Sequence, residues 1–487
     1  MTDTTIDQVD DLARAAARAF ELTVRSSGAE RAGWLRAVAD RLDEHADELT
    51  RAGDHETALG DPRLRGEVTR TTGQLRLFAD VVEEGGYLEA VIDHADPDAT
   101  PPKPDLRRIL RPIGPVAVFS ASNFPFAFSI AGGDTASALA VGCPVIVKAH
   151  PGHPETSGLT AGLVASALAD AGAPEGVFAM IEGFEAGLAL VDHPAIQAVA
   201  FTGSVRGGRA LHERAAARPA PIPFFGELGS INPVVITPGA DAARGSALAE
   251  GLAGSFQLGN GQFCTKPGVV FVPRGSGVES RLPGLVGTSP HKMLTESIAA
   301  GFSRGLEHLR SVPGVTVVAG SGEAAGEEVA PVVLRVGAEQ LREHASELFE
   351  EVFGPLTLLI EYGDEEEVLA ALAELEGSLT ATLHAQDGEA RPELVAALER
   401  IAGRVLFAGW PTGVAVTWSQ HHGGPWPATT SQHTSVGATA VRRFLRPIAY
   451  QDAPAAVLPP ALQDDNPLRV PRRVDGVLQV PEASPVR

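Results

Sequence analysis

Cys264 is one of two cysteines among 487 residues and closes the segment Gly259-Asn260-Gly261-Gln262-Phe263-Cys264. A nucleophilic thiol needs access and a backbone that lets a substrate come close, and glycines ahead of the cysteine allow that approach. A cysteine taken alone is more often a small buried apolar residue. Cys143, between Gly142 and Pro144 in an apolar run, fits that description. Glu227 stands in Phe224-Phe225-Gly226-Glu227-Leu228-Gly229. Apolar neighbours predict a raised carboxyl pKa and service as a general base for water, against the plainer reading of a surface or helix-capping glutamate. Asn123, in Ser122-Asn123-Phe124-Pro125, carries an amide that could donate to an oxyanion, or it is a turn residue shortly before proline.

A second group of residues could hold a phosphorylated ligand. Phe201-Thr202-Gly203-Ser204-Val205-Arg206-Gly207-Gly208 follows an apolar run and opens a helical one. Glycines, a hydroxyl and the free N–H groups of a helix start form an anion site, although an ordinary strand-to-helix turn has the same make-up. It is not the usual G-x-G-x-x-G dinucleotide fingerprint. Lys148 ends another apolar run, where its ammonium meets a ligand hydroxyl or phosphate or is simply solvated. His421-His422 raises the question of a metal. Neighbouring side chains on one strand point in opposite directions, so no metal site is expected.

These residues need elements to carry them. Residues 7–53 and 61–85 repeat apolar positions at helical spacing. Residues 86–104 are polar and Pro-rich, reading as a loop or short strand pair. Short apolar runs at 115–119, 144–148, 177–181 and 198–201 alternate with helical segments, as do later runs at 233–236, 268–272 and 356–360. Residues 314–326 read as a strand with turns, and residues 454–487 as a Pro-rich tail lying extended. Buried strands alternating with helices predict an α/β protein with parallel sheets covered on both faces.

Composition bounds the function. Lys and Arg number 39 against 61 Asp and Glu, giving a net charge of −22. That balance opposes binding to nucleic acid or an anionic membrane surface. Two cysteines argue against a disulfide framework. The polar, acidic start and the lack of a long apolar stretch point to a cytoplasmic enzyme.

Taken together, Asn123-Phe124-Pro125, Lys148, Phe201-Thr202-Gly203-Ser204, Glu227-Leu228-Gly229, Gly261-Gln262-Phe263-Cys264 and Glu351-Val352-Phe353-Gly354-Pro355 resemble the aldehyde dehydrogenase superfamily in content, order and spacing. The resemblance runs from about residue 7 to about residue 475. Further segments are similar to its α-ketoglutaric semialdehyde (2,5-dioxovalerate) dehydrogenase branch, among them Arg70-Thr71-Thr72-Gly73-Gln74-Leu75, Lys148-Ala149-His150-Pro151 and His422-Gly423-Gly424-Pro425.

The resemblance implies two doubly wound α/β domains and a small β oligomerisation flap. Residues 1–104 and 114–225 would form the cofactor-binding domain, 226–425 the catalytic domain, 105–113 and 426–450 the flap, and 451–487 a tail. It implies attack of Cys264 on an aldehyde, an oxyanion held by Asn123 and the Cys264 N–H, hydride transfer to NAD or NADP, and hydrolysis of the thioester by water that Glu227 activates. Gly203, Ser204, Gly208, Lys148, Glu351 and Phe353 would hold the cofactor. Pro151 stands where NAD-preferring members carry a glutamate, which implies good use of NADP; Arg206, Arg209 and His150 are candidates for its extra phosphate. Ser122 and Ser230 replace the family's usual Trp and Gly and leave the channel wall open to question. Arg70, Arg76, Gln74 and Phe124 are candidates around the substrate, with arginines for a distal carboxylate. Phe124, Phe126 and Phe128 would instead suit a fatty or aromatic aldehyde, or are core. A catalytically silent binding protein is the alternative of another class. A homodimer or homotetramer is implied, and no metal.

Overall fold

The computed structural model describes residues 3–389, 391–411 and 413–481. Four helices lead the chain: Ile6–Thr23, Gly28–Glu44, Ala46–Thr57 and Asp61–Glu84. The first two begin with capping boxes, Thr5 with Gln8 and Ser27 with Glu30, which satisfy two otherwise orphaned amides at each start. The second to fourth pack through Leu35, Leu49, Leu64, Leu75 and Phe78, all buried, against the helices Gly133–Val141 and Pro154–Asp170, which lie on the first sheet, while Ile6–Thr23 packs on that sheet directly through Val9, Ala13 and Ala16.

That sheet is entirely parallel. Its order is Phe178–Ile181, Val145–Lys148, Val116–Phe119, Ala198–Thr202, Phe224–Glu227. The chain starts in the middle, winds to one edge and returns to the other. Order therefore reverses between Val116–Phe119 and Ala198–Thr202, and the crevice beyond their carboxyl ends is where such sheets bind ligands. Residues 116–119 and 145–147 are buried on both faces, which is why they read as unbroken apolar runs.

The second sheet has seven strands in the order Thr316–Gly320, Val332–Gly337, Leu356–Tyr362, Val269–Pro273, Val234–Ile236, Ser378–His384, Ala402–Phe407. All neighbours are parallel except the first pair. The strand Ser378–His384 is wholly buried, yet Ser378, Thr380 and Thr382 interrupt its apolar pattern, so no apolar run announces it.

A third sheet pairs Leu445–Gln451, Leu106–Pro112, Ala90–Asp93, Arg472–Val474 and Val477–Gln479. Its central strand, Ala90–Asp93, comes from the segment read as a loop or short strand pair, and Arg472–Val474 and Val477–Gln479 come from the tail. The final segment is thus not simply extended: it ends in a hairpin that adds two strands beside Ala90–Asp93. No helix among the described residues is long and apolar enough to cross a membrane.

Candidate active site

Three segments meet at the centre of the molecule. Asn123 lies just past the strand Val116–Phe119, Glu227 ends the strand Phe224–Glu227, and Cys264 follows a short 3-10 turn at Leu258–Gly261. That turn needs its glycine. Gly261 has φ +68°, and a Cβ there would sit 2.2 Å from the Gly354 carbonyl carbon. The glycine thus serves a crossing of two backbones, where the sequence predicts room for the approach of a substrate.

Cys264 is partly accessible and borders two cavities. The larger, about 730 Å³, is the crevice at the strand reversal. Ser120, Asn123, Gly203, Ser204, Glu227, Glu351 and Phe353 all line it. Ser204 caps the helix Val205–Ala216, its hydroxyl accepting from Gly207 N at 3.2 Å. The helix start therefore faces the cleft with its dipole positive. Gly208, one turn in, is buried rather than on the wall; a Cβ there would fall 2.1 Å from Leu228 Cδ2, so it lets helix and Glu227 segment pack closely. Such a cleft, with a helix start, a carboxylate and a flat ring, fits a dinucleotide.

Glu351 accepts from Ser230 N, and burial raises its pKa to about 7 despite the nearby Lys266. Lys266 is buried and donates to the Val352 and Leu356 carbonyls. The Ser230 hydroxyl points away from the channel, donating to Asn232 Oδ1 at 2.6 Å, whereas Ser122 is on the wall. Lys148 and exposed Pro151 lie off the wall, but His150 is on it. Burial, with His153 and Lys148 nearby, pushes His150 down to about 3, so it meets a ligand as a neutral ring. Arg206 and Arg209 are exposed and off this wall, and Arg209 lies over the Trp426 ring. Neither therefore meets the cleft where a phosphate was expected. Arg304 and His308, which sequence reasoning missed, do line it, from the helix Glu296–Ser311.

The smaller cavity, about 250 Å³, lies on the other side of the sulfur. Phe124, Phe128 and Phe263 form its wall with Val414, and Arg70 reaches in from the helix Asp61–Glu84. Arg70 lies over the Phe128 ring and donates twice to the Val414 carbonyl at 3.3 Å. Its buried Nη1 has no partner among the described residues. Phe126 is core, not wall. Two candidates fall elsewhere. Arg76 is on the outer face of its helix, paired with Asp40 and Asp43 at 2.6 and 2.7 Å, because helical spacing turns it away from Arg70. Gln74 is buried against Gly133, inside the protein and outside both cavities.

Glu227 departs from expectation. Burial pushes its carboxyl up, but the adjacent His422 imidazole, the Ser435 hydroxyl and Arg443 outweigh it, and the pKa is lowered. His422 Nε2 is 2.8 Å from Glu227 Oε1 and 3.7 Å from Cys264 Sγ, while Ser435 Oγ donates to Oε2 at 2.7 Å. His422 lies in a loop, not a strand, so the argument from alternating side chains does not apply to it. Thr434 and Ser435 clamp that loop by accepting from His422 N and donating to His422 O. Only the neighbouring His-His pair signalled it. Cys264, Glu227 and His422 offer ligand atoms within 4.8 Å of one another.

Burial and the Glu227 charge hold the Cys264 thiol well above its ordinary pKa. Asn123 Nδ2 donates to Gln262 O at 3.0 Å, which fixes its amide beside the cysteine segment. Cys143 is sealed in the core with its thiol pushed up to about 12 by burial.

A thiol, a carboxylate and an amide at the floor of a dinucleotide-shaped cleft is the arrangement of an oxidising acyl-transfer site. Residues 1–280 match the sequence profile of the aldehyde dehydrogenase family. The chain is 48% identical over 484 residues to "Alpha-ketoglutaric semialdehyde dehydrogenase 2" of Azospirillum brasilense, covering 97% of this chain and 91% of that one. The chain belongs to the aldehyde dehydrogenase family. It is 43% identical to "Alpha-ketoglutaric semialdehyde dehydrogenase" of Acinetobacter baylyi, over 97% of this chain and 92% of that one. Among solved structures, the NAD+ complex of an aldehyde dehydrogenase from Bacillus cereus superposes with a TM-score of 0.77 at 22% identity, covering 92% of this chain and 89% of that one. This aldehyde dehydrogenase is therefore an NAD(P)-dependent oxidoreductase acting on an aldehyde.

Proposed function

We propose that the enzyme oxidises α-ketoglutaric semialdehyde to 2-oxoglutarate. One observation carries the substrate: Arg70 lines the cavity that Cys264 borders, and its buried Nη1 has no partner among the described residues. A buried, unpaired donor of that kind is costly unless a ligand satisfies it, and a carboxylate is its natural complement. An aldehyde with a carboxylate at its far end can place one group at the sulfur and the other at Arg70. The names of the two relatives agree with this choice.

Cys264 attacks the carbonyl carbon through its sulfur. The Asn123 amide and the Cys264 backbone N–H hold the oxyanion. The nicotinamide cofactor, when bound, supplies the oxidising power by accepting hydride. Glu227 then takes a proton from the water that releases the acid from sulfur. A lowered pKa suits this role, since the carboxylate stays ionised at neutral pH. Gly203 and Ser204 would receive the phosphates and Glu351 and Phe353 the nicotinamide end, with Gly208 keeping the helix close, and Lys148, off the wall of the cleft, would serve the adenosine ribose from beyond it. NADP is preferred, because Pro151 leaves no carboxylate to repel its additional phosphate. The third sheet, with exposed Leu106, Val477 and Leu478, is the homodimer or homotetramer contact.

The test is an aldehyde panel run with NAD and with NADP. Turnover should be highest for the oxo-acid semialdehyde with NADP and should vanish in Cys264→Ala, whose fold is retained. Faster oxidation of hexanal would overturn the substrate, and turnover by Cys264→Ala would overturn the chemistry.

A further inference from the structure

A thiol beside a carboxylate, largely withdrawn from water, is a poor nucleophile. Burial and the Glu227 charge both oppose the thiolate at Cys264. Some group must offset that opposition when the S–H bond breaks. We propose that His422 is a positioning residue for thiol activation: its Nε2–H holds the Glu227 carboxylate beside Cys264 and turns to the sulfur once the thiol proton has moved to that carboxylate. The inference rests on the thioester reading above.

The geometry supports one arrangement of protons. His422 is completely buried, and its Nδ1 has no partner among the described residues. A proton on Nδ1 would be a buried unpaired donor, so the ring proton belongs on Nε2. From there it reaches Glu227 Oε1 at 2.8 Å and lies 3.7 Å from Cys264 Sγ. The Glu227 carboxylate is thus approached by His422, by the Ser435 hydroxyl and by the thiol itself. When the S–H bond breaks, the proton passes to the Glu227 carboxylate and the electron pair stays on sulfur. Glu227 becomes a neutral acid and a weaker acceptor, while the sulfur becomes an anion. A single N–H between the two follows the charge. Glu227 returns its proton to solvent through the cleft before it takes another from water.

Other groups surround this set. Arg443 faces Glu227 and is itself paired with Asp134. His421 adjoins His422 along the chain. Arg404, Arg70 and Glu351 act on the sulfur at longer range. The Phe128 ring packs near the imidazole, with centroids 6.4 Å apart. None of these aromatic or charged neighbours offers a donor to both Cys264 and Glu227 among the bonds described.

The test is the pH profile of Cys264 alkylation by iodoacetamide in the full-length enzyme, comparing wild type, His422→Phe and His422→Gln. Cys143 is sealed, so the rate reads Cys264. Phenylalanine keeps the ring and removes the N–H; glutamine keeps an N–H donor. We expect His422→Phe to alkylate roughly tenfold more slowly near neutral pH, with its profile displaced to higher pH, as loss of a hydrogen bond to a charged group implies. His422→Gln should recover part of the rate. Cofactor affinity, measured on the same samples, should be unchanged. A wild-type profile in His422→Phe would overturn the proposal. So would a His422→Gln enzyme as slow as His422→Phe while still binding cofactor. If His422→Phe does not fold, His422→Gln decides: a profile near wild type supports the donor role, and one displaced to higher pH overturns it. Turnover by Cys264→Ala would instead defeat the thioester reading, so the two failures are distinguishable.

Discussion

The two cavities that meet at Cys264 are made of different material. The larger is built at the reversal of a parallel sheet, from strand ends, a helix start and the Glu227 and Glu351 segments. The smaller is built from side chains: the rings of Phe124, Phe128 and Phe263 and the guanidinium of Arg70. Strand ends and a helix start frame the first. Side chains fix the second, and single substitutions can remake it. The difference teaches where generality ends: oxidation by a nicotinamide cofactor belongs to the fold, and choice of aldehyde belongs to a few residues.

The comparison can be broken most sharply beside Cys264, on the wall of the larger cavity. Glu227→Gln should lower turnover about a hundred- to ten-thousandfold, the usual range for a lost general base. Steady-state kinetics checks this, and a variant within a few-fold of wild type would remove Glu227 from the chemistry. Next comes the smaller cavity. Arg70→Met should cost about 1.5–3 kcal/mol in kcat/KM for the oxo-acid semialdehyde, the worth of a hydrogen bond to a charged group, and little for hexanal. Equal losses for both aldehydes would make Arg70 structural.

Changes at or beside the larger cavity should be gentler, because strand ends and a helix start frame it. Pro151→Glu should weaken NADP binding by roughly 1 kcal/mol through like-charge repulsion and leave NAD binding nearly intact, which titration of each cofactor would show. The smallest effect is a pH dependence. Glu351 has a pKa raised to about 7 by burial, so its carboxyl is protonated below that value and ionised above it. As a ribose acceptor it should bind cofactor more tightly as pH rises through that point, and Glu351→Gln should flatten the dependence.

Most of the larger cavity was legible in the sequence. Residues 116–119, 145–147 and 198–200 are apolar because they are buried on both faces, and Gly203-Ser204 follows the last of these strands directly. The smaller cavity was legible only in part. Arg70 and Arg76 look alike in sequence, and only the turn of the helix separates a cavity residue from an exposed one paired with aspartates. Gln74 looked like a neighbour of Arg70 but packs inward, toward Gly133. His422 enters the sequence reading only as half of a His-His pair judged by strand geometry, but it lies in a loop; contacts with Thr434, Ser435 and Glu227 position it, and those partners are distant in sequence. The same long-range contacts invert the expected shift at Glu227, whose near neighbours in the chain are apolar while its neighbours in space are not.

The central claim is that an acyl group resides on Cys264 between the two cavities. Glu227→Gln, mixed with cofactor and the oxo-acid semialdehyde and quenched in acid, tests it by mass spectrometry of the intact chain and its peptides. The account predicts an added acyl mass confined to the Cys264 peptide and absent when cofactor is left out. An unmodified Cys264 in enzyme that has already reduced its cofactor would contradict it.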